Sequence, residues 1–219
     1  MTHHVREDVQ VPESRIGEPV WALALQYPRQ GDWTADDYFA LEIDRRVELS
    51  NGCLEFLPVP SLEHQLIVAF LYEALLLFVK AGRLGVVVPP GLRVRNRAEE
   101  EKAAVREPDI AFLSTALYSK LPKGAPASDG ADLVMEVVSP QQHHRERDIV
   151  DKRGEYARTG IPEYWIVDPE ERQVTVLTLA AGANEYTEHG VFKPGEMATS
   201  VVLPGFEVNV TDALEGMQP

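Results

Sequence analysis

The chain has 219 residues, of which 44% are hydrophobic and 26% are charged, and its formal net charge is −14 at pH 7. This composition is typical of a compact globular protein and excludes a disordered chain. The negative charge argues against a protein that gains affinity mainly by releasing counterions from phosphates, because such a protein carries a basic face. It is compatible with a site for divalent cations, since bound cations offset acidic ligands.

Cysteine content and apolar segments limit the class of protein further. Cys53 is the only cysteine, so an intrachain disulfide and a cysteine-rich zinc site are both excluded. The N-terminus has no secretory apolar core. The longest apolar stretch, residues 66 to 79, contains Glu73 and is too short to span a bilayer. We therefore expect a cytoplasmic protein that makes no contact with membranes.

The chain divides into an N-terminal arm, residues 1 to 33, and a single domain, residues 34 to 219. The arm contains several prolines and no sustained hydrophobic period. Thr34, with Asp37 at the third helical position, then predicts a short helix that extends to about Glu42.

Asn51-Gly52 lies between two apolar runs, residues 46 to 50 and 53 to 57, and this dipeptide is typical of a type I′ hairpin. Glu48 alternates with the apolar residues of the first run. It is therefore either a solvent-facing strand residue or a functional acid, and the pattern does not choose between them.

A long core helix is predicted from Leu62 to Ala81, with Ser61 as its N-cap and Gly82 closing it. His64, in its first turn, is more readily explained as a surface or capping-region histidine than as a ligand. The apolar face of this helix is expected to comprise Leu66, Phe70, Leu71, Ala74, Leu77 and Phe78.

Two carboxylates lie inside apolar strands. Residues 105 to 113 are predicted to form one strand in which Asp109 shares a face with Ala111, and Pro108 marks an edge position or the start of the strand. Residues 132 to 138 read as a covered central strand that contains Glu136. An acid in such a run needs neutralisation by a metal ion, a cation or a set of donors.

The helix predicted for residues 145 to 159, which ends at Gly160, carries Asp148, Lys152 and Tyr156 on one face. An ordinary surface ion pair between Asp148 and Lys152 would explain this spacing equally well and would contribute little stability. A second hairpin is predicted from residues 163 to 169 and 173 to 179. Short strands near residues 185 to 189 and 199 to 203 and a short helix after residue 211 complete the pattern.

These residues, in this order, resemble the PD-(D/E)XK nuclease superfamily, and specifically its Uma-type branch, formerly classed as a domain of unknown function. The resemblance covers about residues 34 to 205. It rests on four segments: Arg46-x-Glu48-Leu49-x-Asn51-Gly52, Glu107-Pro108-Asp109-Ile110-Ala111, Leu133-Val134-Met135-Glu136-Val137-Val138-Ser139-Pro140, and Asp148-x-x-x-Lys152-x-x-x-Tyr156-Ala157-x-x-Gly160-Ile161-Pro162-Glu163-Tyr164-Trp165-Ile166-Val167-Asp168-Pro169.

The resemblance implies an α/β, restriction-endonuclease-like fold. Its central mixed β-sheet would be flanked by the helix of residues 62 to 81 on one side and that of residues 145 to 159 on the other, with additional hairpins.

The resemblance also implies the members of a site. Asp109 and Glu136 match the superfamily's metal-binding acids, and the backbone carbonyl of Val137 is a further metal contact. Val138 stands where the E-x-K element of the superfamily has its lysine, which makes Lys152 of the following helix the natural substitute. Glu48 adds a carboxylate to the catalytic set.

We therefore expect an endonuclease that hydrolyses phosphodiester bonds in nucleic acid, with DNA as the preferred polymer. Mg²⁺, or Mn²⁺ in its place, would be held by Asp109 and Glu136, and Lys152 would assist the attacking water.

Two other readings remain open. The first is a catalytically inactive, dimeric binding or regulatory module that retains the nuclease fold; an exposed sheet edge or the aromatic hairpin would support a homodimer. The second is metal-free acid–base catalysis on a small molecule by Glu136 and Asp109, for which the sequence shows no substrate pocket.

Overall fold

The computed structural model describes residues 14–16, 24–43, 45–95, 104–140 and 145–216. Most of the predicted N-terminal arm lies outside the described residues. The elements in chain order are α1 (Ala35–Ala40), β1 (Val47–Ser50), β2 (Cys53–Phe56), α2 (Leu62–Gly82), β3 (Gly85–Val88), β4 (Val94–Arg95), β5 (Val105–Arg106), β6 (Ile110–Ser114), α3 (Thr115–Tyr118) and β7 (Leu133–Val137). They continue with a π-helical turn (Arg147–Asp151), α4 (Lys152–Thr159), β8 (Glu163–Asp168), β9 (Gln173–Thr178), β10 (Thr187–Phe192), β11 (Met197–Thr199), β12 (Glu207–Asn209) and α5 (Val210–Glu215).

A six-stranded mixed sheet, in the order β10-β9-β8-β7-β6-β3, forms the centre of the fold. Its β7 and β8 strands are parallel, and its other neighbouring strands are antiparallel. A parallel pair requires a crossover connection, which the π-helical turn and α4 provide. A four-stranded sheet, β2-β1-β5-β4, and the β11-β12 pair complete the strands of the described residues.

Helix α2 packs on one face of the central sheet and α4 on the other. The α2 side has a core that includes Leu71, Phe112 and Met135. The α4 side has a second core that includes Val134 and Tyr156. The sheet is therefore covered on both faces, and the predicted α/β fold with helices on opposite sides is confirmed.

The buried face of α2 differs from the predicted one. Its fully buried seam is Ile67, Leu71, Leu75 and Val79, whereas Leu77 is exposed. The reason is that the helix is apolar around most of its circumference, so hydrophobic spacing alone leaves the rotation of the helix about its axis undetermined. The helix also extends through Gly82, and Arg83 rather than Gly82 adopts the left-handed cap conformation, at φ 52°.

Helix α2 has 21 residues, and by length and composition alone it passes the criterion for a membrane span, as core helices of soluble proteins also do. This corrects the expectation, drawn from residues 66 to 79, that the apolar segment is too short. In the described structure one side of α2 packs against the central sheet.

Two strand predictions are wrong in their limits. The run from Val105 to Leu113 is divided at Pro108 into β5, which pairs with β1 in the smaller sheet, and β6, which belongs to the central sheet. Proline lacks an N–H for a strand ladder, so the chain changes sheet there. The strand predicted for residues 199 to 203 is also wrong, because β11 ends at Thr199 and the chain turns before β12.

Candidate active site

Asp109 and Glu136 meet at one edge of the central sheet. In the antiparallel β6 and β7 pair, Ile110 lies opposite Met135, and continuing that register by one residue places Asp109 opposite Glu136. Both residues line the same cleft, and both are buried. The structure thus brings together the two acids that the sequence predicts as metal ligands.

Lys152 reaches this pair of acids from the first residue of α4. Its Nζ lies 2.9 Å from Glu136 Oε1 and 3.4 Å from both Glu48 Oε1 and Asp148 Oδ1. Lys152 and Asp148 are each only 2% exposed. The surface ion pair that would have explained their spacing is therefore ruled out, because the cluster lies inside the protein.

Tyr156 lies one helical turn after Lys152 and contacts the same carboxylate. Its hydroxyl donates a hydrogen bond of 2.6 Å to Glu136 Oε1. Oε1 therefore accepts from both an ammonium and a phenol, and this fixes the side chain of Glu136 in one orientation.

Glu48 is fully buried, so its interpretation as a solvent-facing strand residue is wrong. The reason is that α4 packs over this side chain, since Lys152 Nζ of that helix lies 3.4 Å from Glu48 Oε1. Its Oε1 accepts a hydrogen bond of 2.8 Å from the Glu107 amide, and its Oε2 accepts one of 2.9 Å from Arg106 Nη1. Burial raises the pKa of Glu48, but Lys152 and Arg106 outweigh it and lower this pKa to about 2.

Arg106 joins the smaller sheet to α4 and was not singled out from the sequence. Its guanidinium contacts Glu48, Glu55 and Glu155, and Ser50 Oγ donates to Glu155 Oε1 at 2.8 Å. Each of these partners is far from Arg106 along the chain. The only sequence signal was an arginine next to valine in a short apolar run.

His64 is a second residue whose place in the site the sequence did not predict. Its Nε2 lies 3.2 Å from Asp109 Oδ2, which also accepts a hydrogen bond of 3.0 Å from the Val137 amide. Burial lowers the pKa of His64, but the Asp109 carboxylate outweighs it and raises this pKa above the ordinary value. The first turn of α2 therefore belongs to the site, and the interpretation of His64 as a surface residue is wrong.

The cations of the cluster are shared unequally among its acids. Lys152 faces Glu48, Glu136 and Asp148, but Glu48 is also paired with Arg106, and Asp148 Oδ1 lies 3.1 Å from Arg147 Nε. Burial raises the pKa of Glu136 to about 7, since the neighbouring acids add to burial and Lys152 only partly opposes them. Burial lowers the pKa of Lys152, but Glu136 and Glu48 outweigh it and hold this pKa above the ordinary value. Lys152 is therefore charged, and Glu136 is the acid that takes up a proton most easily.

The cleft offers oxygen ligands but no preformed cage for a metal ion. Among the residues that the structure describes, no group of three or more His, Cys, Asp or Glu side chains is arranged to hold one. Mg²⁺ needs only one or two carboxylates, because water and substrate phosphates complete its coordination.

In the same described residues, the contacts of Asp109 involve Oδ2 and those of Glu136 involve Oε1. Asp109 Oδ1 and Glu136 Oε2 therefore remain for a cation, and Val137 lines the same cleft. This donor set fits the chemistry of Mg²⁺.

Comparison with known proteins agrees with this arrangement. The model of the Uma2 family, described as "Putative restriction endonuclease", matches residues 35–211. The fold is similar to that of a crystal structure described as a "putative nuclease belonging to DUF820" from Anabaena variabilis, with 19% sequence identity and a TM-score of 0.67 over 83% of this chain and 97% of that one. No curated protein matches the sequence.

The family match extends from α1 to the start of α5 and therefore includes the whole cleft. The chain belongs to the Uma2 family, and its restriction-endonuclease-like fold carries Glu48, Asp109, Glu136 and Lys152 in a single buried cluster.

Proposed function

We propose that the protein is a Mg²⁺-dependent endonuclease that hydrolyses phosphodiester bonds in DNA. The observation that carries the proposal is the 2.9 Å contact between Lys152 Nζ and Glu136 Oε1, in the cleft that Asp109 also lines. It sets an ammonium next to the two acids of the metal-binding pair. The family description and the name of the structural relative support the choice of nuclease chemistry.

Each residue of the cluster has a distinct role in this proposal. Asp109 and Glu136 hold Mg²⁺, which when bound lowers the pKa of water and polarises the phosphoryl oxygens. Lys152 donates hydrogen bonds to the attacking water or to the phosphate oxygens on which negative charge develops. Glu48 is a second carboxylate that helps to hold the ammonium of Lys152.

The test is cleavage of single-stranded and duplex DNA and of RNA, in Mg²⁺ or Mn²⁺, with a chelator control. Asp109→Asn and Glu136→Gln should each reduce cleavage by about 100-fold or more, the effect of removing one group that stabilises developing charge. Glu163→Gln is the matched control, since Glu163 is fully buried in the same sheet but does not line the cleft. Cleavage by both site variants at the wild-type rate would overturn the assignment of the site.

The charge balance of the cluster favours one alternative, a catalytically inactive and dimeric binding module. The ammonium of Lys152 already neutralises part of the acidic charge, so the cluster is stable without a bound metal ion. This alternative requires that folded protein bind neither Mg²⁺ nor Mn²⁺ in calorimetry and cut none of the polymers. Sedimentation would then show whether the module is a dimer. Metal binding together with metal-dependent cleavage would exclude it.

A further inference from the structure

Two arginines that the proposed chemistry does not use lie next to Glu107: Arg46, which lines the cleft itself, and Arg93, which reaches the cleft only through its contact with Glu107. Arg46 precedes β1 and Arg93 precedes β4, and both point at the carboxylate of Glu107. Glu107 lines the cleft with Asp109 and Glu136. The two arginines therefore lie beside the candidate site although they precede different strands.

Both ion pairs with Glu107 are loose. Arg46 Nε lies 3.5 Å from Glu107 Oε2, and Arg93 Nε lies 3.5 Å from Glu107 Oε1. These distances are longer than those of a well-formed N–H···O hydrogen bond. The arginine side chains are 37% and 43% exposed, whereas that of Glu107 is 8% exposed. Each guanidinium group is therefore accessible to a second anion from solvent.

The guanidinium of Arg93 is held in place by aromatic rings. Its Cζ lies 5.4 Å from the centre of the Tyr38 ring and 5.9 Å from that of Phe39. Contacts of this kind restrict the orientation of an arginine and leave its edge available. The contact recorded between each arginine and Glu107 is made by Nε. The terminal nitrogens complete the fork of donors that suits a phosphate.

The protein as a whole is strongly acidic, at −14, so a polyanion can approach only where positive charge is concentrated. Arg46 and Arg93 supply two such charges next to the metal-binding acids, and nothing in the proposed hydrolysis requires them. The backbone amide of Glu107 donates a hydrogen bond to Glu48 Oε1. This bond connects the segment beside the two arginines to the cluster that contains Lys152.

We propose that Arg46 and Arg93 form a phosphate-binding rim that holds the DNA backbone beside the scissile bond, and that Glu107 occupies the two arginines until DNA replaces it. This inference rests on the proposed nuclease function and deepens it by naming the surface that binds the substrate. The phosphates flanking the scissile one accept hydrogen bonds from the two guanidinium groups, and the Glu107 carboxylate is displaced.

The experiment measures binding of fluorescently labelled duplex and single-stranded DNA by anisotropy, with a chelator present so that cleavage is absent. Arg46→Gln and Arg93→Gln should each weaken binding by about 3-fold to 10-fold and reduce the slope of log affinity against log salt by about 1, since each loses one phosphate contact. Lys80→Gln is the charge-matched control. Lys80 is exposed near the far end of α2, roughly 24 Å along the helix from His64, and its loss should change affinity less than twofold.

The variant Glu107→Gln tests whether Arg46 and Arg93 bind DNA phosphates or only stabilise the folded protein. If Glu107 competes with DNA for the arginines, this variant should bind DNA about 3-fold to 10-fold more tightly, which is the size of one phosphate contact. Glu73→Gln, which removes an exposed acid elsewhere, should leave affinity unchanged. The proposed phosphate-binding rim would be contradicted if Glu107→Gln bound DNA more weakly than wild type. It would also be contradicted if Arg46→Gln and Arg93→Gln bound DNA as tightly as Lys80→Gln.

The experiments distinguish failure of the proposed phosphate-binding rim from failure of the proposed nuclease function. Metal-dependent cleavage by wild type, with DNA affinity independent of Arg46 and Arg93, would refute the rim and leave the nuclease standing. Arginine-dependent binding without cleavage in Mg²⁺ or Mn²⁺ would support the rim and overturn the nuclease. Absence of DNA binding by the wild-type protein would refute the rim.

Discussion

Lys152 Nζ and Glu136 Oε1 are 2.9 Å apart in a region where both side chains are almost wholly buried. The ammonium comes from α4, which follows the strand of Glu136, and Val138, directly after that strand, packs in the core. The parallel β7 and β8 pair explains how this is possible, because its crossover helix must return across the sheet face onto which Glu136 projects.

We expect Lys152→Met to lower the free energy of unfolding by about 3–5 kcal/mol, since it leaves buried carboxylates without their cation. Urea unfolding followed by circular dichroism measures this loss. The double variant Lys152→Met/Glu136→Gln should be less destabilised than the sum of the two single variants, because removing one acid reduces the uncompensated charge. Strictly additive losses would show that the two side chains do not interact.

Stability should depend on pH through Glu136 and Glu48 in opposite directions. The folded pKa of Glu136, about 7, lies above the ordinary value of 4.5, so the folded state binds the proton more tightly and stability falls as pH rises from 4.5 to 7. The folded pKa of Glu48 is about 2, so its contribution is present above pH 4.5 and is lost as pH falls towards 2.

Urea midpoints measured in chelator between pH 4.5 and 7.5 test the first of these effects. Glu136 should account for at most about 3 kcal/mol of the loss across this range, and Glu136→Gln should show a smaller decline than wild type because it has no proton to lose. Parallel profiles for the two proteins would contradict the raised pKa of Glu136.

Metal binding should release a proton. A cation binds the ionised carboxylate, and Glu136 has a pKa of about 7 without metal, so at pH 6 Mg²⁺ must displace up to one proton, and affinity should rise by up to about tenfold per pH unit below 7. Calorimetry in two buffers with different ionisation enthalpies counts the protons released. Equal heats in both buffers would show that Glu136 does not give up a proton to the metal.

Arg106→Met should be strongly destabilising. The variant leaves Glu48 and Glu155 buried without their shared guanidinium, a loss of about 3–5 kcal/mol. Arg95→Met is the control, because the pair between Arg95 and Asp129 is partly exposed and should contribute less than about 1 kcal/mol. Similar losses for the two variants in urea unfolding would mean that the buried network adds nothing beyond a surface pair.

Glu163 is a buried acid outside the cleft, so its substitution should change stability without changing metal binding. Its carboxylate accepts hydrogen bonds from Trp165 Nε1, Ser200 Oγ and the amides of Val201 and Val202. Glu163→Gln turns one acceptor into a donor that faces those donors, so it should destabilise by about 1–3 kcal/mol. Mg²⁺ affinity of the folded variant should equal that of wild type, and a changed affinity would place Glu163 within the metal site.

The sequence by itself determined the elements whose signals are local. Asn51-Gly52 forms the predicted hairpin, with φ angles of 48° and 73°, because few other residues adopt that turn. Thr34 and Asp37 form the predicted capping box, and α4 ends at Gly160 with φ 79°. In each case the deciding contacts lie within a few residues of one another along the chain.

Only the tertiary structure decided what the site contains. Asp109 and Glu136 were identifiable as acids in apolar runs. The burial of Glu48, in contrast, depends on the packing of α4 over β1, and the contact of His64 with Asp109 depends on where α2 begins relative to β6. Arg106 meets Glu48 and Glu155 across sequence separations of 58 and 49 residues. Hydrophobic periodicity records which side of an element is apolar, whereas the packing of distant elements determines which charged side chains are buried together.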